Sequence, residues 1–81
     1  MRYFKTQKEF TEFVRAQIEK KKNKPGFSRS EIAEGAGIST IQISQATGKR
    51  FEDDSRKNGP RFKILEYLGF KGYKAFGVEK K

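Results

Sequence analysis

Three segments of this chain carry the pattern that starts a helix: a serine or threonine followed three residues later by glutamate or glutamine, just before an apolar run. In such a capping box the hydroxyl accepts a hydrogen bond from a first-turn amide, and the longer side chain bonds back to the cap residue's own amide. The pairs are Thr6 with Glu9, Ser28 with Glu31, and Ser39 with Gln42. Three helix starts within 81 residues predict a mostly α fold made of short helices.

The composition restricts the chemistry that the chain can perform. It has no cysteine and no histidine, which excludes disulfides, Cys/His metal sites, thiol nucleophiles and the commonest general base. No paired carboxylates and no Gly-rich phosphate loop occur, so we expect no enzyme, no cofactor and no small-molecule ligand. The length suits a single domain over 1–81. No stretch resembles a membrane span or a signal core, so we expect a cytoplasmic protein with no membrane partner.

The charge is large and unevenly distributed. Lys plus Arg is 19 against 10 acidic residues, a formal net charge of +9. Residues 1–27 carry eight basic and three acidic groups, residues 28–54 three and five, and residues 55–81 eight and two. Two basic flanks therefore bracket a mildly acidic centre. Such an excess favours a polyanionic partner, with nucleic acid first among them.

The remaining pattern completes the predicted architecture. Apolar residues at helical spacing place the first helix near 6–23, and Gly59-Pro60 opens a later helix that Gly69 ends. Phe70 is expected to fold back on Leu65 in a Schellman ending. Residues 49–59 form a polar link, and the tail 70–81 is a short strand or an extended arm. We expect a mostly α fold of four to five short helices; a short C-terminal strand is the alternative to an extended tail.

Residues 29–48, RSEIAEGAGISTIQISQATG, are the most informative stretch. They indicate two short helices joined by a tight turn at Gly37, because glycine adopts left-handed backbone without strain. The segment resembles the helix-turn-helix of the Cro/CI-like (XRE-like) phage repressor family, with GISTIQIS especially similar, and PRFKILEYLGF resembles that family's later helix. The resemblance covers roughly residues 6–70. The motif-core positions are Ala33, Gly37, Ile38, Ile43 and Ala46.

Helix 39–47 is the predicted DNA-reading element of this motif. A major groove admits one α-helix and presents a distinct donor and acceptor pattern for each base pair. A helix with uncharged polar residues outside and apolar residues behind suits that role, and the resemblance adds which positions face the bases. Gln45 is expected to pair with an adenine edge, and Ile41 to contact a thymine methyl group or else to pack inside. The predicted base-reading residues are Thr40, Ile41, Gln42, Ser44 and Gln45.

Flanking cations are predicted to contact phosphates, which would supply affinity while the neutral helix supplies discrimination. Arg2 and Lys5 are expected to form an N-terminal arm, and the resemblance places Arg29 near phosphate. If six to ten cations neutralise phosphates, affinity should fall roughly 10³–10⁵-fold between 50 and 200 mM salt. The predicted phosphate contacts are Arg29, Lys49, Arg50, Arg56, Lys57, Arg61, Arg2 and Lys5.

The resemblance implies a repressor, phage or prophage in origin, that binds double-stranded DNA as a homodimer on half-sites about 34–36 Å apart. The predicted dimer surface, within the tail 70–81 and the helix before it, consists of Leu68, Phe70, Tyr73, Phe76 and Val78. An alternative is an adaptor with the same fold whose basic surface binds an acidic protein.

A second alternative is an RNA-binding module, because KGYKAF at 71–76 resembles the RNA-recognition signature of a basic residue, a glycine and two aromatic residues. Because side chains alternate along a strand, the inserted Lys74 moves Phe76 to the wrong face of that module.

Overall fold

The computed structural model describes residues 1–48 and 59–81, and these contain four helices and one three-stranded sheet. A mostly α fold is therefore confirmed for the described ranges. The elements in chain order are β1 (Arg2–Phe4), α1 (Gln7–Lys21), α2 (Arg29–Ala36), α3 (Thr40–Thr47), α4 (Pro60–Tyr67), β2 (Tyr73–Ala75) and β3 (Val78–Lys80). Within these ranges, none of the helices combines the length and apolar content that crossing a bilayer requires.

All three predicted helix starts are present. The Thr6 hydroxyl accepts from the Glu9 amide at 3.1 Å and begins α1. At Ser28 and at Ser39 the capping box is reciprocal, because the glutamate or glutamine side chain accepts from the serine's own amide. These bonds satisfy amides that the helix itself leaves unpaired. Local sequence thus fixes where three of the four described helices begin.

Two helix ends depend on left-handed glycine. Gly37 (φ +74°) ends α2 and Gly69 (φ +79°) follows α4. After α4 the Phe70 amide donates to the Leu65 carbonyl at 2.9 Å and the Gly69 amide to the Glu66 carbonyl at 3.0 Å. This is the predicted Schellman ending.

The sheet joins the two ends of the chain. Strand β2 lies in the centre, paired in parallel with β1 and antiparallel with β3. The tail therefore forms a hairpin rather than an arm. Its two-residue turn has positive φ at Phe76 (+52°) and Gly77 (+81°), as a type I′ hairpin turn requires. The predicted N-terminal arm is wrong, because Arg2 lies in β1 and its amide donates to the Gly72 carbonyl at 3.0 Å.

The sheet and α1 enclose an aromatic core. The ring centroids of Phe10 and Phe62 are 5.1 Å apart, and those of Phe4 and Phe10 are also 5.1 Å apart. Tyr73 stacks on Phe62 and is 1% exposed, so burial, helped by the charge of Glu66, raises its pKa above the ordinary tyrosine value. Such rings each bury a large apolar area, which lets a short chain form a core.

Burial of this region corrects two residues of the predicted dimer surface. Leu68 and Tyr73 belong to the core and are not available as a dimer surface. The same burial removes Tyr73 as a base-stacking ring of an RNA-recognition module, which needs exposed aromatics on a four-stranded sheet. Phe70, Phe76 and Val78 are half-buried against the core.

The crossing of α2 and α4 depends on a glycine. A Cβ atom at Gly35 would lie 2.0 to 2.7 Å from three atoms of the Tyr67 ring, closer than real Cβ contacts allow. That ring is held in place because its hydroxyl donates to the Gly26 carbonyl at 2.7 Å. Gly35 therefore lets the two helices approach closely.

We predict that Gly35→Ala lowers the free energy of unfolding by about 1–3 kcal/mol through this overlap, although Gly→Ala inside a helix normally raises it. Urea denaturation measures the change. The matched control is the same substitution in a Tyr67→Ala background, where the obstacle is gone and Gly35→Ala should be neutral or stabilising. Equal destabilisation in both backgrounds would contradict this account of the crossing.

Candidate nucleic-acid interface

Within residues 1–48 and 59–81, helix α3 packs against its neighbours along one side. Ile43 and Ala46 are fully buried, and α3 contacts α1, α2 and α4. The opposite side presents Thr40, Ser44 and Gln45, all exposed, together with Ile41. Ile41 is 69% exposed, so packing inside the protein does not account for it. We call Thr40, Ile41, Ser44 and Gln45 the outer face of α3.

A short turn sets the direction of α3. The Ile38 amide donates to the Ala33 carbonyl at 2.9 Å across left-handed Gly37, so only 37–39 separate the helices. Ala33 is buried and Ile38 is half-buried against the core. The side chains on the inner side of the turn thus join the two helices, and the outer face of α3 takes no part in this junction.

The start of α3 removes one residue from the predicted base-reading set. The Gln42 side-chain oxygen accepts from the Ser39 amide at 2.9 Å, while the Gln42 amide donates to the Ser39 hydroxyl at 3.1 Å. Gln42 is half-buried and its side chain turns back toward the helix start. Its prediction as a base-reading residue is therefore corrected: Gln42 caps the helix.

Two arginines surround the end of α3. Arg15 on α1 donates through Nε to the Thr47 carbonyl at 3.0 Å, and through Nη2 to the same oxygen. Cations near a helix C-terminus also complement its dipole. Arg29 is exposed, and its Nη2 lies 3.4 Å from the Thr47 hydroxyl. Sequence reasoning missed Arg15, whose only signal is its position beside the apolar stripe of α1.

The predicted phosphate contacts occupy different environments. Arg29 and Lys5 are exposed. Arg2 is also exposed, but its guanidinium carbon lies 4.8 Å from the centre of the Phe13 ring. The predicted contacts from Lys49, Arg50, Arg56 and Lys57 lie outside the described residues.

The predicted phosphate contact from Arg61 is wrong. Its side chain is completely buried, and Nη1 donates to the Thr11 hydroxyl at 2.9 Å while Nη2 bonds the Gln7 side-chain oxygen. The guanidinium carbon also lies 4.9 Å from the Phe10 ring centre and 5.8 Å from that of Phe76. Arg61 therefore connects α4 with α1 and the hairpin.

Some lysines at the end of α1 also bind within the protein. Lys21 Nζ donates to the Leu68 carbonyl at 2.8 Å, near the end of α4. Lys22 pairs with Glu19 at 2.8 Å on the surface, and this hydrogen bond lowers the pKa of the Glu19 carboxyl. Not every basic residue is thus available to a polyanion.

Comparisons of the chain with protein-family models, with curated proteins and with solved structures give no match.

We predict that Arg61→Ala lowers the free energy of unfolding by about 2–4 kcal/mol, because it removes charge-assisted hydrogen bonds and a buried cation–π contact. Urea denaturation measures this loss. The matched surface control is Lys5→Ala, which should change stability by less than about 0.5 kcal/mol. Equal stability of the Arg61 variant and the wild type would contradict the buried role of Arg61.

Proposed function

We propose that this chain is a transcriptional regulator that binds double-stranded DNA sequence-specifically, with α2 and α3 acting as a helix-turn-helix. The outer face of α3 enters the major groove, and occupation of a promoter site represses transcription. The observation that carries the proposal is the outer face itself: an exposed, uncharged set of side chains on a helix whose other side is buried.

The spacing of the outer face suits a groove. Its four residues occupy positions i, i+1, i+4 and i+5, which form one continuous strip because the helix turns every 3.6 residues. Hydroxyl and amide groups on this strip can donate to and accept from base edges. Ile41 adds an exposed apolar side chain to this strip, which can contact an apolar group in the groove.

The contacts that hold α3 in place favour sequence specificity. Both helix ends are hydrogen-bonded, by the Ser39 capping box and by Arg15, and Ile43 and Ala46 fix the rotation of the helix. A reading helix that is already ordered loses little conformational entropy on binding. Small differences between base pairs then appear directly as differences in affinity.

Electrostatics supplies the remaining affinity. The net charge of +9 attracts a polyanion, and cations at phosphates contribute to binding in a way that does not depend on sequence. Arg29 is the best-placed candidate among the described residues, because it is exposed and adjacent to the end of α3. In this scheme the cations supply affinity for any duplex, and the neutral helix discriminates between sequences.

One α3 helix reaches few base pairs, so we propose a symmetric dimer on a pseudo-palindromic site with half-sites about 34–36 Å apart. With Leu68 and Tyr73 assigned to the core, the dimer candidates are the half-buried Phe70, Phe76 and Val78. They lie on or beside the β2–β3 hairpin and the end of α4.

The proposal predicts different effects for two substitutions, measured by fluorescence anisotropy on a duplex selected from a random library. Gln45→Ala should reduce discrimination at one base position by about 1–3 kcal/mol. Arg29→Gln should weaken binding to all duplexes alike and reduce the slope of log K against log salt by about 1. Both residues are exposed, so the variants should unfold like the wild type.

One result would contradict the proposal, and a second would contradict only its assignment of Gln45 to the bases. One is selection without an enriched sequence together with no duplex affinity at 100 mM salt, which would favour the adaptor that binds an acidic protein. The other is a Gln45→Ala effect that is equal on every duplex, which would assign Gln45 to the DNA backbone.

A further inference from the structure

The outer face of α3 carries only some of the side-chain types that read bases in the major groove. The types that it carries point to the bases that it selects. It holds one amide, one aliphatic side chain and two hydroxyls, from Gln45, Ile41, Thr40 and Ser44. It has no arginine or lysine, the usual bidentate partners of guanine, and no carboxylate to accept from cytosine. Hydroxyls accept or donate to either kind of base pair and so select little.

The two selective residues are aligned. Ile41 and Gln45 are four residues apart and therefore lie on the same ridge of α3, separated along its axis by about 6 Å. Successive base pairs are about 3.4 Å apart along the duplex. Two side chains on this ridge thus meet base pairs that lie within about two steps of each other.

Each of these residues suits one base. The amide of Gln45 has a donor and an acceptor, the pair that matches N7 and N6 of adenine in the major groove. The side chain of Ile41 has no polar group and, at 69% exposed, leaves a large apolar surface in water. The thymine 5-methyl is the apolar group that the major groove offers.

We infer that α3 selects A·T base pairs in its half-site, with Gln45 bonding an adenine and Ile41 covering a thymine methyl within two base pairs of it. This inference rests on the proposed function and adds the identity of the bases. Ile41 and Gln45 are the specificity-determining residues, and Thr40 and Ser44 adjust the fit.

Base analogues in the selected duplex test the inference one atom group at a time. Replacing thymine by deoxyuridine removes only the 5-methyl, and replacing adenine by 7-deazaadenine removes only the N7 acceptor. At one thymine, deoxyuridine should weaken wild-type binding about fourfold, as expected for burial of one methyl-sized group. At one adenine within two base pairs, 7-deazaadenine should weaken it about fivefold, as expected for one hydrogen bond.

The protein variants assign each effect to its residue. Ile41→Ala should bind the thymine and deoxyuridine duplexes equally, and Ile41→Val should retain part of the difference. Gln45→Ala should lose the response to 7-deazaadenine only. Gln17→Ala on α1 removes a glutamine outside the outer face and is the matched control, so it should respond to both analogues as the wild type does.

The outcomes separate this inference from the proposed function. A selected motif with strong discrimination, but with only G·C pairs where α3 binds, would overturn the inference and leave the function intact. The same holds if both analogue effects persist in the Ile41 and Gln45 variants, or if neither analogue affects the wild type. Absence of any selected motif would overturn the function itself.

Discussion

The left-handed backbone at Gly37 is the constraint on which the proposed interface depends. It ends α2 and, with the Ala33–Ile38 hydrogen bond, turns the chain within three residues. Because the connection is so short, burial of Ile43 and Ala46 on the inner side of α3 necessarily leaves the opposite side in solvent. An L-residue with a Cβ at this φ is strained, so the direction of α3 follows from one backbone position.

The features that the sequence predicts correctly are local ones. A capping box is complete within four residues and a Schellman ending within six, so both can be recognised from the chain alone. This explains why the starts of α1, α2 and α3 and the end of α4 agree with the structure. The mostly α fold follows from these boundaries together with the helical spacing of apolar residues.

The features that the sequence misses depend on contacts between distant parts of the chain. Strand β1 is only three residues long and pairs with β2, about 70 residues later. Three residues are too few for the alternation of apolar and polar side chains to indicate a strand. From the sequence, Arg61 cannot be told from a surface cation, because the residues that bury it come from α1 and the hairpin. Gln42 has two valid uses, base contact and helix capping, and the structure assigns it to the cap. The composition predicts a basic surface, but the packing of the chain determines which basic residues lie on that surface.

The most direct measurement of the central claim is an NMR titration of the ¹⁵N-labelled chain with its selected duplex. If the outer face of α3 occupies the major groove, the largest amide shift changes should fall within 40–45, with intermolecular NOEs from the Ile41 methyl groups to base protons. Unchanged α3 resonances, with the shift changes confined to the β2–β3 hairpin, would contradict the account.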